Sequence, residues 1–273
     1  MEREGKELKR LLICLLVLLL TVPALAEAPS ALRPRRDEII EEAPQVALAG
    51  VRFEGEGYES PEEAVAAYLQ AKKNGDAAGM LATFAIETYV SEMDAQADLE
   101  RTGVFQPSYG MRLPLGGDYQ RQVAVAVRYG QLAESLASQW MLFSWPEGYE
   151  AFDGASVALS EDGDAEAFLA GLAEGDAAAL WQEMEVVGFV EPERMSSQYS
   201  DGSQSRARQA ASYGCDEIVS VVAKLDIGGE EWYQCMDVAR YGEKWYNLSL
   251  VGYIGHLMGL SLYSGGLVPA AAF

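Results

Sequence analysis

In EIVSVVAKLDIGGEEWYQCMDVARYGEKWYNLSLV, residues 217–251, apolar and polar side chains alternate with a period of two, and two glycine-containing dipeptides interrupt the alternation at hairpin spacing. Three strands joined at Gly228-Gly229 and Gly242-Glu243 follow, an antiparallel meander. A two-residue turn at Gly228-Gly229 sets Ile227 opposite Glu230, Val222 opposite Cys235 and Ser220 opposite Asp237. The second turn sets Asp237 opposite Leu248. Both faces of the meander are half apolar. Val219, Val221, Ala223, Leu225, Trp232, Met236, Val238 and Trp245 lie on one face, interrupted by Gln234, Arg240 and Asn247. Tyr233, Cys235, Asp237, Ala239, Tyr246, Leu248 and Leu250 lie on the other, so alternation alone does not say which face meets the rest of the chain.

Upstream the period changes to that of helices. In ESPEEAVAAYLQAKKNGD, Ser60 is an N-cap, Pro61 takes the first helical position and Glu63 completes a capping box. Ala64, Val65, Tyr68 and Leu69 form one apolar stripe, and Asn74-Gly75 supplies a left-handed stop. Asp76 starts a second short helix with Met80, Leu81 and Phe84 inward, and a third is expected around residues 88–101. Pro107 and RLPLGG mark a loop. Tyr129, Leu132, Leu136, Trp140 and Phe143 then recur at helical spacing as far as Pro146. EDGDAE lacks the Gly and distal Glu of an EF-hand loop, so Asp164 is read as the N-cap of a helix carrying Phe168, Leu169 and Leu172. A further helix over residues 176–184 leads into the apolar run VVGFV, which Pro192 ends, and SSQYSDGSQSRARQAASYG reads as loop and surface helix. Helices first and strands last predict an α+β fold, helices packed on a curved antiparallel sheet.

The chain opens with four basic residues, an apolar run over residues 11–22, Pro23 and the triplet Ala24-Leu25-Ala26. That layout predicts a signal peptide over residues 1–26, cleaved after Ala26, and hence a secreted or extracytoplasmic protein. The run falls short of the roughly 20 apolar residues of a bilayer span, so no stable membrane insertion is expected after cleavage. Cleavage removes four of 20 basic and three of 42 acidic residues, moving the net charge from −22 to −23. So acidic a chain repels nucleic acid and anionic membranes. The charge serves either capture of cations or basic partners, or solubility outside the cell. Residues 27–55, charged and proline-containing, read as a linker, residues 56–260 as one domain, and residues 261–273 as a C-terminal tail. Cys215 lies seven residues beyond the partner of Cys235, roughly 23 Å at strand rise, so both thiols are expected free.

SPEEAVAAYLQAKKNGDAAGMLATFA together with WYQCMDVARYGEKWYNLSL resembles the NTF2-like superfamily, a cystatin-like α+β cone, and in particular its secreted bacterial members. The resemblance covers about residues 58–90 and 213–251. It implies a Pro-Glu-Glu helix and a Gly-Asp helix over a strongly bent antiparallel sheet ending in a Gly-x-x-Trp hairpin, here Gly242 to Trp245. Residues 95–210 form a longer and more helical middle than that pattern has. The resemblance also implies a cavity between helices and sheet, which different members use as enzyme pocket, ligand site or dimer interface. A homodimer through the sheet is one expectation. Members with lyase or isomerase activity rely on a pocket Asp or His, often with tyrosines.

His256 is the single histidine, which excludes metal sites built on histidine clusters, and it reads as structural. GSQSR is not a nucleophile elbow. Neither a metal nor another cofactor is expected. Asp237 is the candidate acid–base group: among apolar neighbours its ionised form would be disfavoured, as general acid–base work requires. The competing reading pairs its carboxylate with the Ser220 hydroxyl, and on that reading its pKa is expected below that of a free aspartate. Tyr233, Asp237, Tyr246 and Trp245 are the candidate ligand-binding residues. Two functions follow. One is a non-catalytic domain binding a small ligand or a protein partner through the cavity or a sheet face. The other is a small lyase or isomerase using Asp237 with Tyr233 or Tyr246 as hydrogen-bond donor. A deep cavity containing Asp237 would favour the enzyme, and a cavity filled by side chains the binding domain.

Overall fold

The Ser60 hydroxyl accepts the Glu63 amide at 3.2 Å and so starts helix α1 (Pro61–Lys73). Glu63 reaches back to the Glu59 amide, one residue earlier than the standard box. Gly75, at φ 68°, ends the turn, and the Asp76 carboxylate caps α2 (Ala77–Ala82) by accepting the Gly79 amide at 2.8 Å. The computed structural model describes residues 52–103, 117–143, 151–152, 156–157, 164–174, 177–261 and 264–272, all in the unit Val51–Phe273. The leader, the linker up to residue 51, Pro107, RLPLGG up to residue 116, Pro146 and Asp176 lie outside the described residues. Among the described residues no helix is long and apolar enough to cross a membrane.

The third expected helix is two, α3 (Glu87–Glu92) and α4 (Ala95–Thr102). Met93 adopts extended backbone, and Asp94 caps α4 by accepting the Gln96 and Ala97 amides, both at 2.9 Å. Helix α5 (Asp118–Phe143) begins well before Tyr129. Its early turns hide from a search for apolar spacing because Val123 and Val127 are exposed while Arg128 is buried. A two-stranded pair, β1 (Ala151–Phe152) and β2 (Ser156–Val157), precedes α6 (Ala165–Glu174), whose N-cap is Asp164 as expected, and α7 (Ala177–Gln182). VVGFV belongs to strand β3 (Glu185–Val190), followed by α8 (Pro192–Met195) and α9 (Ser203–Tyr213).

The meander forms as read: β4 (Glu217–Ile227), β5 (Glu230–Tyr241) and β6 (Lys244–Leu250). Both residues of the first turn, Gly228 and Gly229, have positive φ (62° and 85°), the tight-hairpin geometry that matches strand twist. Ile227 pairs with Glu230, Val222 with Cys235 and Ser220 with Asp237. The second register departs from expectation at one point. Val238 faces Asn247, but Asp237 faces Ser249, so Leu248 is the extra residue of a bulge. Leu250 consequently pairs with Met236 and packs on its face, not on that of Asp237. The sheet order is β3-β4-β5-β6, all antiparallel. Residues 261–273 are not merely a tail: after helix α10 (Gly252–Leu257), β7 (Leu267–Pro269) pairs with Trp232, Tyr233 and Gln234 of β5.

The fold is α+β, helices on an antiparallel sheet. Val221, Ala223, Leu225, Met236 and Val238 meet α1, α2 and α7 in the main core, around Tyr68, Leu69, Phe84 and Trp181. Each large side chain buried there contributes about 1.5–3 kcal/mol. The other face is covered as well: Val222 and Cys235 pack on Tyr199 and Ile254, while Ile218, Ala239, Tyr246 and Leu248 pack on Tyr89, Val90 and Ala210.

Candidate functional site

Asp237 sits on the second face, 4% exposed. The Ser220 hydroxyl donates to its Oδ1 at 2.6 Å, and the Tyr253 amide donates to both carboxylate oxygens at 3.0 Å. Ser220 Oγ in turn accepts the Ile254 amide at 3.3 Å. The Asp237 carboxylate and the Ser220 hydroxyl therefore each take one free amide at the start of α10, directly after Val251, a β-branched residue held at φ 75°. Gly252 is required beside it, because a Cβ there would lie 2.5 Å from Asp237 Oδ1. Ser220 is the partner the register predicted, yet the pKa moves the other way from the paired reading. Burial raises it, outweighing the Ser220 and Tyr253 hydrogen bonds and the more distant Arg206 and His256. The site has the protonation bias of an acid–base group and the hydrogen-bonding of a turn clamp.

The other nominated residues do not gather around it. The Tyr233 hydroxyl donates to Glu231 at 3.0 Å, next to the surface pair of Glu231 with Lys224. Tyr246 packs with Ala239 and Leu248, its ring centroid 6.2 Å from that of Tyr241. Trp245 belongs to the opposite face, with the Arg240 guanidinium 5.7 Å from its ring. His256 is exposed on α10. Cys215 and Cys235 are free and buried, and burial pushes both thiols up to about 12.

A buried lysine, outside the residues nominated from the sequence, lies between helices and sheet. Lys72, 2% exposed, donates from Nζ to Gln139 Oε1 at 2.8 Å and stands 3.7 Å from the centre of a Trp181 ring. The Tyr68 hydroxyl donates to the same Gln139 oxygen at 3.1 Å. Gln139 Nε2 passes the chain to Gln234 Oε1 and to the carbonyls of Ser264 and Gly265 at 3.2–3.3 Å. The network ties α1 to α5, β5 and the approach to β7. Burial drives the Lys72 pKa well down. The signal was present in the sequence: Lys72 follows Tyr68 by four on the apolar stripe of α1, Gln139 follows Leu136 by three, and Gln234 interrupts Trp232 and Met236. Around this network Tyr68, Leu69, Phe84, Trp181, Met184, Leu225 and Met236 are all fully buried and belong to one packed cluster.

An open cleft lies elsewhere, at the sheet edge where β3 leaves β4 after Val190 pairs with Val222. Its volume is about 270 Å³, and Glu62, Phe189, Glu191, Glu193, Tyr199 and Val219 are among its walls. Phe189 is 41% exposed. The outward amide of Ser220 is taken by the Tyr199 hydroxyl at 2.8 Å, which blocks addition of another strand at that point.

No protein-family model matches the chain, and no curated protein matches it. Among solved structures it is similar to a cystatin-like protein from Ruminococcus gnavus, at 14% identity and a TM-score of 0.37. The match covers 68% of this chain and 39% of that one.

Proposed function

We propose that the protein is a non-catalytic, extracytoplasmic binding domain that recognises a protein partner at the cleft between the start of α1 and the β3–α8 corner. One observation carries this reading: the space between α1 and the sheet is occupied by Trp181, Tyr68, Phe84 and Met236, while the cleft stands open at the sheet edge. Its volume of about 270 Å³ falls below the roughly 300–1,000 Å³ of pockets that enclose small molecules. It suits one or two side chains of a docked protein. Phe189 would be the anchor, since exposed aromatic residues beside a depression supply most of the energy of such contacts. The leader read at residues 1–26 would deliver the domain outside the cytoplasm, with Glu27 as the first residue of the exported form.

A test is to pan a random-peptide phage library on the purified protein and to measure the enriched peptides against Phe189→Ala. The reading expects enrichment, with at least fivefold weaker binding to the variant. Enriched peptides indifferent to Phe189→Ala, or no enrichment, would reject it.

The raised pKa of Asp237 favours a second reading, an acid–base enzyme of the lyase or isomerase class. Against it stand the Tyr253 amide and the Ser220 hydroxyl, which already occupy the carboxylate oxygens. If that reading holds, Asp237→Asn abolishes turnover of whichever substrate is found while leaving the fold intact.

A further inference from the structure

We infer that the sheet-edge cleft takes an arginine or lysine side chain presented by an extended basic segment of the protein partner. This deepens the proposed function and rests on it. Three carboxylates, Glu62, Glu191 and Glu193, stand around the cleft, and among the described residues no basic residue lines it. All three are exposed. Among the described residues no ion pair engages any of them, and the one hydrogen bond, from the Ser200 hydroxyl to Glu193, is long at 3.5 Å. Their acceptor capacity is therefore available to an incoming cation. Glu62 lies in the first turn of α1.

The apolar walls select the same ligand chemistry. Phe189 offers an exposed ring and Val219 a half-buried aliphatic surface. A long basic side chain lays its methylene stem along such surfaces while its head meets carboxylates, and a guanidinium can also stack on the ring. A neutral apolar segment would gain the walls but leave three carboxylates facing it, some of them losing water on docking. An acidic segment would meet like charge locally and from a chain of net charge −22. Strand addition at Ser220 is closed by Tyr199, so recognition falls to side chains rather than to backbone pairing.

Net charge attracts any basic peptide, so the experiment must separate the cleft from the whole surface. Peptides enriched from the random library are sequenced, and the tightest is measured by fluorescence anisotropy at 150 mM salt. It is compared with a counterpart carrying citrulline at each arginine and norleucine at each lysine. Two variants of equal charge change are compared with wild type: Glu62→Gln/Glu191→Gln/Glu193→Gln, and Glu134→Gln/Glu166→Gln/Glu230→Gln on exposed positions elsewhere. The expected result is enrichment of arginine or lysine at a fixed position and at least tenfold weaker binding of the neutral counterpart. The cleft variant should bind about tenfold more weakly, each exposed ion pair being worth a factor of about two. The distant variant should change binding less than twofold. Equal loss in both variants would overturn the inference in favour of net charge alone. Enriched neutral peptides that still depend on Phe189 would overturn it while leaving the binding reading intact. Absence of any cleft-dependent peptide would remove both.

Discussion

At Asp237 the register, the bulge and the start of α10 meet in one side chain. Its folded pKa lies above the free value near 3.9, so between the two values the folded state holds the proton more tightly than the unfolded chain. Stability contributed by this group therefore falls as pH rises through that window, and above the folded midpoint the buried charge carries its full cost. Carbon-13 titration of the carboxyl should give a midpoint above that of a free aspartate; a midpoint below it would show that the hydrogen bonds outweigh burial. Asp237→Ala should cost about 1–3 kcal/mol in urea unfolding, because the Tyr253 amide and Ser220 hydroxyl lose their acceptor. Asp237→Asn, which keeps an acceptor and loses the buried charge, should cost less. Lys72 runs with the opposite sign. Its folded pKa is lowered, so the unfolded chain binds the extra proton and wild-type stability rises with pH from the lowered midpoint towards about 10.4. Lys72→Met fills similar volume without the amine and leaves Tyr68 bonded to Gln139. It should leave stability at pH 6 unchanged or raise it by up to about 2 kcal/mol, and its advantage over wild type should shrink between pH 6 and pH 9. A loss of more than about 1 kcal/mol at pH 6 would mean that the Gln139 and Trp181 contacts outweigh burial of the cation.

At the scale of elements, what could be read depended on whether the signal was local. Caps at Ser60, Asp76 and Asp164 and the turn at Gly228-Gly229 were legible because each is a backbone requirement met by a residue or two. The bulge at Leu248 was not, because its contacts are remote in sequence. Arg128 of α5, buried over the Tyr89 ring at 4.5 Å, donates to the carbonyl of Leu248 and, at 3.3 Å, to that of Ala85. An arginine inward on a helix reads as a break in the apolar pattern, and the same arginine hid the first turns of α5. β7 was missed because its three residues gain strand character only from β5. Candidate site residues fared similarly. Ser220 opposite Asp237 followed from counting, whereas the helix start that surrounds this carboxylate came from residues 251–254, outside the meander. If Arg128 holds the bulge, Arg128→Met should lose about 1.5–3 kcal/mol by leaving two carbonyls without their charged donor. Amide exchange should quicken at β6 near Leu248 before it does at the Gly228-Gly229 hairpin. Uniform quickening across the sheet would instead assign Arg128 a general packing role.

At the scale of the whole molecule, α1, α2 and α7 pack on the sheet around Tyr68, Phe84, Trp181 and Met236, and the Lys72 network is buried among them. On the proposed reading, recognition falls to the acidic surface, the exposed Phe189 and the cleft at the β3–β4 edge. The contacts of Lys72 also explain how a buried lysine persists: Gln139, Trp181 and Tyr68 solvate it in place of water. Amide chemical-shift mapping with a library-selected peptide tests the claim most directly, because it locates the bound surface whatever the natural partner is. The account predicts that the largest changes fall on Glu62, Phe189 and Val219–Val222, with Lys72, Trp181 and Gln234 unaffected. Changes centred on Lys72, Trp181 and Gln234 would contradict it, placing the ligand between helices and sheet.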